Sequence, residues 1–540
     1  IGVDVGGTNT DAALMNGDVV VASCKKPTTR NVSDGIVSAI KAVLSESGES
    51  AANIQCVMIG TTHFTNAFVE RKNLLDVGII RIALPASRGI PPLIDWPESL
   101  LAEIGDHRHL VAGGYQFDGR VNSPLDEQAV AHAAREFKQK GIRTVAVSAV
   151  FSPVNSEMEE RAADIIAQEM DDVAITLSHT IGRIGLLERE NAAVMNASLA
   201  DMSSLVVSSF QSALKQLDIE APFFISQNDG TLMSSEFVEK YPVLTFASGP
   251  TNSMRGAAYL SGLKDGLVAD VGGTTTDIGM LCNGFPRESS VTVDIGSVRT
   301  NFRMPDVMAL GLGGGSLVVQ SENQVQIGPR SVGFRLPEKA LIFGGETLTA
   351  SDIAVAAGYA DFGDRSLVKH LSSDLIHSAV DRIHQIIADG VERMKISADP
   401  VPLILVGGGS VLVDRDIAGV SEVIIPEYAG VANAIGASIA QVSGETDRMF
   451  SYEEMGRDAA RFAAEIDLDY AQFTPFHPIL GTELASEASL HGFVGEILSY
   501  EEGSHGVCYA PHAYGSFHAV QAVSEWCYVH FYLRPSYLWK

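Results

Sequence analysis

Asp4-Val-Gly-Gly-Thr-Asn-Thr-Asp11 recurs as Asp270-Val-Gly-Gly-Thr-Thr-Thr-Asp277, with one position changed. Chance does not repeat such a string within one chain. A single device has been used twice, once in each of two related halves. Ile1-Gly-Val-Asp-Val5 leads into the first copy and Leu267-Val-Ala-Asp-Val271 into the second. Both are short, β-branched and bounded by glycine, which predicts strands. Behind each copy comes an apolar run and then Asn-Gly: Ala12-Ala-Leu-Met15 before Asn16-Gly17, and Ile278-Gly-Met-Leu-Cys282 before Asn283-Gly284. Both residues of Asn-Gly tolerate positive φ, as a tight hairpin requires. A third apolar run follows each turn, Val19-Val-Val-Ala22 and Val291-Thr-Val293. Each unit therefore reads strand, glycine turn, strand, Asn-Gly turn, strand. Dinucleotide and P-loop fingerprints place a helix directly after their glycines, and these units do not.

The residue types point to phosphate. Gly6, Gly7, Gly272 and Gly273 carry no Cβ, so their backbone N–H groups can approach phosphate oxygens. Thr8, Thr10, Thr274, Thr275 and Thr276 add hydroxyl donors at the same place. Asp4 and Asp270, at the strand ends, suit a hydrated Mg2+, which takes one or two carboxylates and keeps several waters. Asp11 and Asp277 can orient a water or the threonines. The expected ligand is a nucleotide gripped by its phosphates between the two halves.

The chain has 540 residues, room for about two to four domains of roughly 150 residues. Hydrophobic residues make up 46% and charged residues 19%, the balance of a soluble globular protein with ample core. No apolar run approaches the roughly 20 residues of a membrane span. A net charge of −28 argues against nucleic acid as a partner. An anionic ligand must then be met by a local cation or a metal. Cys24, Cys56, Cys282, Cys508 and Cys527 are scattered and odd in number, which predicts a reduced, cytoplasmic setting. No signal peptide is visible. The chain opens inside a predicted strand without Met, so leading residues are expected ahead of it.

Between the two copies strand and helix alternate, which predicts an α/β fold. Asp126 to Lys140 reads as an amphipathic helix with Val130, Ala133, Ala134 and Phe137 on one face and Gly141 closing it. Thr144 to Phe151 reads as a buried strand. Ser156 with Glu159 reads as a capping box opening a helix to about Met170. Val173 to Leu177 reads as a further strand, and Leu186 to Leu217 as one long helical stretch. The proline-rich segment from Pro85 to Pro97 reads as a loop. After the second copy, glycine returns at Gly311-Leu-Gly-Gly-Gly-Ser316 and at Gly407-Gly408-Gly409-Ser410, the latter behind the apolar strand Val401-Pro-Leu-Ile-Leu-Val406. A strand running into three glycines suits a backbone passing close to a flat ligand such as adenine. Gly430-Val-Ala-Asn-Ala-Ile-Gly-Ala-Ser438 reads as a helix of small residues that another helix can approach closely.

This order resembles the actin-like ATPase superfamily (ribonuclease H-like fold), in which two phosphate-binding β-hairpins, one per lobe, close on Mg·ATP. Further segments narrow it. Gly60-Thr-Thr-His-Phe-Thr-Asn-Ala67 with Glu70-Arg71, Ser178-His179 with Glu188-Arg189 and Asn196, Gln227-Asn-Asp-Gly-Thr-Leu-Met233, and Ser248-Gly-Pro250 resemble the ATP-binding subunits of the hydantoinase/oxoprolinase family. They fall in that family's order over roughly residues 1 to 450. The resemblance implies a lobe over residues 1–185, a second lobe over 186–445 with the second phosphate loop and the adenosine segment Gly407 to Ser410, and a short atypical C-terminal region over 446–540. It implies ATP and Mg2+ as cofactors, and activation of a cyclic amide such as a hydantoin or 5-oxoproline. A second, hydrolase subunit and a homo- or hetero-oligomer are implied as well. An unstrained lactam resists water because of amide resonance. Phosphorylating its oxygen makes a leaving group and an electrophilic carbon, a step that asks the protein mainly for positioning and charge neutralisation.

Thr61, Thr62 and Asn66 follow a predicted strand and offer groups that hold an amide or cap the next helix. The family has histidine just before this Gly-Thr-Thr, where this chain has Ile59. His63 is an acid/base candidate or a structural residue, and Glu188-Arg189 a family pair or a simple ion pair. A small-molecule kinase of the same superfamily and a catalytically impaired nucleotide-binding relative are the competing readings. The aromatic-rich end departs from the family pattern. Its Cys508, His512, His518, Cys527 and His530 match no zinc-finger spacing.

Overall fold

A computed structural model describes residues 1–443, apart from Thr8, 29–31, 290–291, 322–323 and 415, together with 492–494 and 509–511. The zinc-type residues of the tail lie outside these, as does most of the 446–540 region. Within it only Gly492–Val494 and Tyr509–Pro511 are described, as an antiparallel pair.

The first part of the chain supplies ten strands. They are β1 (Gly2–Val5), β2 (Asn9–Asn16), β3 (Val19–Pro27), β4 (Val57–Thr61), β5 (Val77–Leu84), β6 (His107–Ala112), β7 (Thr144–Ala149), β8 (Ala174–Leu177), β9 (Phe223–Ser226) and β10 (Leu232–Ser234). One sheet has the order β10-β9-β4-β1-β2-β3 and a second the order β6-β5-β7-β8. The expected boundary near residue 185 does not divide the sheets, because β9 and β10 complete the first one. In the first sheet alternate residues face opposite sides, as a pleat dictates. Val3, Val5, Ala12 and Leu14 join the core that holds Ile36 and Ile40 of the Val32–Ser47 helix. Ala13 meets Ile435 of the Ala432–Ser438 helix on the other side, the side on which Asp4 also lies.

The second sheet is wholly parallel. It buries Ile80, Ile82, Val145 and Val147 against Val130, Ala133, Ala134 and Phe137 of the Glu127–Gln139 helix. That helix is as expected, with Asp126 capping the Ala129 N–H and Gly141 at φ 74°.

A third sheet is built on β11 (Gly266–Val271), β12 (Thr276–Cys282) and β13 (Phe285–Pro286), with the strands Val401–Val406 and Val420–Ile424 beyond β11. Val307–Leu310 also lies along β12. The third strand expected at Val291-Thr-Val293 therefore takes no place in this sheet. Val291 lies outside the described residues, and Val293 pairs instead with Thr300 in a separate ribbon.

Two helix expectations are corrected. The stretch from Leu186 to Leu217 is two helices, Leu186–Ser198 and Ala200–Gln216, broken at Leu199. The Ser198 carbonyl accepts the N–H of Leu75, 2.9 Å away, so it is spent on a neighbouring segment. The capping box at Ser156 does not form. The Ser156 hydroxyl turns to Glu160, Asn155 caps the Glu157 N–H at 3.0 Å, and Glu159 points inward. No helix among the described residues is long and apolar enough to cross a membrane, and the described cysteines Cys24, Cys56 and Cys282 are free.

Candidate functional site

The described residues of the two octapeptides share their turn and strand pairing. In each, the first glycine donates its N–H across the turn, Gly6 to the Asn9 carbonyl at 3.0 Å and Gly272 to the Thr275 carbonyl at 2.9 Å. Strand register places Asp4 opposite Asp11 and Asp270 opposite Asp277. A parallel strand flanks each hairpin, and a glycine in or after it makes room for the aspartate. A Cβ on Gly60 would collide with Asp4 Oδ1, and one on Gly407 with Asp270 Oδ1. Thr8 lies outside the described residues. Thr10 and Thr276 are buried within the strands, Thr10 beside Thr28 and Thr276 donating to the Leu312 carbonyl. Their hydroxyls thus support the hairpins, which leaves Thr274 and Thr275 of the second turn exposed enough to meet a ligand.

Two helices bring the hairpins together. Asn252 of the Ser248–Ser261 helix donates to Asp4 Oδ1 at 3.5 Å, and its neighbour Ser253 donates to Asp270 Oδ2 at 2.5 Å. Asn433 of the Ala432–Ser438 helix donates to both Asp4 and Asp11 at 2.9 Å. Lys25 on β3 pairs with Asp11 Oδ2 at 2.6 Å. Asp11 Oδ1 is buried without a partner.

Burial raises all four carboxyl pKa values. Asp4 reaches about 6 through desolvation and then the charge of Asp11. Asp277 reaches about 7 through desolvation and then the charge of Asp270. Such a group of carboxylates calls for positive charge. Among the described residues no three His, Cys, Asp or Glu side chains gather to cage a metal. Asp4 and Asp270 are of the type that would suit a largely hydrated Mg2+, which needs only one or two carboxylates. The raised values have a thermodynamic sign. The unfolded chain ionises Asp277 near its ordinary 3.8 and the folded chain near 7, so ionisation opposes folding increasingly as pH rises through that window. Asp277→Asn is expected to stabilise the metal-free protein above pH 7 by up to roughly 4 kcal/mol and to change nothing below about pH 4. Urea unfolding in EDTA at the two pH values checks this, and equal midpoint shifts at both would count against it.

The glycine segments pack on the second hairpin. Gly314 and Gly315 donate to the Gly272 and Gly273 carbonyls at 3.0 and 2.7 Å. Gly407 sits at φ 84°, and Gly409 donates to the Val271 carbonyl at 2.7 Å. Gly407 and Gly409 are thus also required by the end of β11, where a Cβ on either would collide with Asp270 or with Val271 and Gly272. Ser410 is buried at the start of a short turn. Gly408 differs, because a Cβ there would meet only Lys25 Cε, at 3.8 Å.

Thr61, Thr62 and Asn66 separate into two groups. Thr61 is 1% exposed and its hydroxyl bonds to His63 Nδ1 at 2.6 Å, so it is not free to hold a ligand. Burial also lowers the His63 pKa, favouring neutral imidazole. Thr62 donates both N–H and hydroxyl to the Val5 carbonyl at 3.3 Å and accepts from Asn66 at 3.2 Å. Its hydroxyl caps no helical amide. Thr62 and Asn66 therefore remain accessible beside the first glycine turn, with Gly249 of the Ser248–Ser261 helix close by.

Lys25, Asn252, Ser253 and Asn433 were not legible as site residues. Lys25 reaches Asp11 only through a bulge between Leu14 and Met15, since the Gly17-Asp18 turn alone would set Cys24 opposite Asp11. The other three depend on how two helices cross. The segments Ser178-His179 and Glu188-Arg189 lie in a buried polar network instead. Glu159 accepts from Ala149 N, Ser178 Oγ and His179 Nδ1 at 2.8, 2.5 and 2.7 Å. Arg189 donates to Ser178 Oγ at 2.9 Å and to the carbonyls of Arg183 and Ile184 at 2.8 and 2.7 Å. The simple ion pair with Glu188, one of the two readings of this pair, is not among the described salt bridges, and the buried pair is Arg81 with Glu190, at 2.5 Å.

Comparison with known proteins identifies the family. Residues 1–170 match the hydantoinase/oxoprolinase N-terminal region, and residues 189–364 match the hydantoinase/oxoprolinase family. The chain belongs to the hydantoinase/oxoprolinase family. It is 28% identical over 395 residues to the acetophenone carboxylase gamma subunit of Aromatoleum aromaticum, covering 66% of this chain and 53% of that one. It is 25% identical to the caprolactamase subunit alpha of Pseudomonas jessenii, covering 82% and 70%. This hydantoinase/oxoprolinase chain thus spans about half the length of the first relative. In structure it is similar to the ATP-dependent caprolactamase of Pseudomonas jessenii, with a TM-score of 0.69 at 20% identity over 98% of this chain and 84% of that one. It is also similar to nucleotide-free acetone carboxylase, with a TM-score of 0.62 at 21% identity over 86% and 74%. These likenesses describe the fold.

Proposed function

We propose that this chain is the ATP-binding subunit of an amidohydrolase that phosphorylates the carbonyl oxygen of a cyclic amide for ring opening. The observation that carries the reading is the pair of matched Asp-Val-Gly-Gly hairpins, whose carboxylates receive Asn252, Ser253 and Asn433. Relatives named caprolactamase subunit alpha and 5-oxoprolinase 1 supply the substrate class. The fold is read as a two-lobed actin-like ATPase, with one hairpin in each lobe and the adenosine moiety beside Gly408.

In this reading the N–H groups of Gly7 and Gly273 face phosphate oxygens, and Thr274 and Thr275 add hydroxyls. Mg2+ held by Asp4 and Asp270 would neutralise phosphate charge. Thr62 and Asn66 hold the amide, placing its oxygen in line with the γ-phosphorus. The oxygen–phosphorus bond forms as the bond to the β-bridging oxygen breaks, and ADP leaves. Water then adds to the activated carbon, the C–N bond of the tetrahedral adduct breaks with a proton passing to the departing nitrogen, and a second water releases phosphate from the acyl phosphate that remains. A second subunit of the same family, in a hetero-oligomer within the cytoplasm, completes that hydrolytic half.

The test is ATP hydrolysis against a panel of lactams, hydantoins and 5-oxoproline, with and without a candidate partner subunit. Stimulation by one cyclic amide together with its ring-opened product is the expected result. A stable phosphorylated product without ring opening would replace this reading by a kinase. Nucleotide binding without stimulation by any substrate, partner present, would leave a binding protein.

A further inference from the structure

We propose that Lys25 is a positioning residue for the terminal phosphates of the nucleotide, reaching from the first hairpin unit toward the glycine segment of the second; this rests on the nucleotide reading above. The duplication itself separates this role from simple neutralisation. Asp11 and Asp277 are twins, each opposite its hairpin's leading aspartate. Across the next strand, however, Asp11 faces Lys25 while Asp277 faces Ala309. One twin therefore stands without a cation across the next strand, although Asp277 is partly exposed where Asp11 is buried, so a lysine at this register is not a fixed part of the duplicated device. Among the described residues Lys25 makes the one ion pair to any of the four carboxylates.

Its placement fits a ligand contact. The ammonium sits 2.6 Å from Asp11 Oδ2, yet the side chain is 35% exposed, so it is held at the rim of the group instead of being sealed within it. Its Cε is the one atom near the space above Gly408. A cation standing between the two glycine devices, on a flexible four-carbon stem, is placed to turn from Asp11 to the outermost phosphates. Asp11 would then be left to a water or the metal's hydration shell, which its unpartnered Oδ1 can also meet. The nucleoside and α-phosphate make no demand on it.

Calorimetric titration of the full chain with ATP, ADP and AMP in the presence of Mg2+ tests this in the wild type, Lys25→Met and Lys25→Arg. A charge-assisted hydrogen bond to phosphate corresponds to about a ten- to hundredfold change in affinity. Lys25→Met is expected to weaken ATP by that factor and to leave AMP within about twofold, with partial recovery in Lys25→Arg. Equal weakening of ATP and AMP, or unchanged ATP affinity with an altered unfolding midpoint, would show a purely structural lysine and overturn the proposal. A wild type that binds none of the three nucleotides would overturn the nucleotide reading itself and this inference with it.

Discussion

Asp270→Asn is expected to lower ATP turnover roughly 100- to 1000-fold, the loss that follows removal of a single preorganised electrostatic group. The substitution keeps the shape of the side chain and its bond to Ser253, which sits 2.5 Å from Oδ2. It removes only the charge. Phosphoryl transfer depends on positioning and charge neutralisation more than on covalent help from the protein, so the damage belongs in kcat and in the Mg2+ requirement. Asp4→Asn is expected to act in the same direction, since Asp4 occupies the matching place in the first hairpin and receives Asn252 and Asn433. Steady-state hydrolysis over a Mg2+ series measures both. If both variants hydrolyse ATP at the wild-type rate, the metal and phosphate assignment is wrong.

The second large effect is expected at Gly436, where the Ser248–Ser261 and Ala432–Ser438 helices cross. A Cβ on Gly436 would collide with the Asn252 carbonyl oxygen, and one on Gly256 with the Ala432 carbonyl oxygen. These are backbone atoms, so a rotamer change cannot relieve the clash. Gly436→Ala must push the helices apart and thereby shift Asn252 and Asn433 together. Overpacking a tight interface costs roughly 1–3 kcal/mol and occasionally more. The expected result is destabilisation at or above the top of that range, with ATPase activity lost in whatever protein still folds. Chemical denaturation and activity read the two effects separately. A variant with wild-type stability and turnover would show that the crossing does not position the site.

Much of the hairpin architecture was legible because it is local. A repeated octapeptide, β-branched flanks and tight turns act within about 20 residues, and the structure pairs Asp4 with Asp11 and Asp270 with Asp277 accordingly, with the first turn one residue later than expected, at Gly17-Asp18, and the second at Asn283-Gly284. What failed depends on distant partners. The helix break at Leu199 follows from Leu75, whose amide takes the Ser198 carbonyl. Glu159 turned inward because His179, Ser178 and Ala149 offer it donors. Thr61 and Thr62 are adjacent and chemically alike, yet strand alternation at the end of β4 buries one and leaves the other partly open. Without the pleat's phase, the sequence could not separate them. Gly407 looked like a ligand-facing glycine, and only the parallel pairing of Asp270 with Val406 reveals that its first neighbour is a carboxylate of its own chain.

The contacts of Asn252 and Ser253 bear on motion. Successive helical residues are fixed about 1.5 Å apart along the axis, so this helix acts as a rigid ruler laid across the two aspartates. The spacing between Asp4 and Asp270 is set by one peptide unit as well as by the sheets that carry them. If the two halves swing apart, one of these bonds must break, and the 3.5 Å bond from Asn252 is longer than the 2.5 Å bond from Ser253. Because this helix is also locked backbone to backbone against the Ala432–Ser438 helix, Asn252 and Asn433 would move as one piece, and a separation that carried them off would release Asp4 from both.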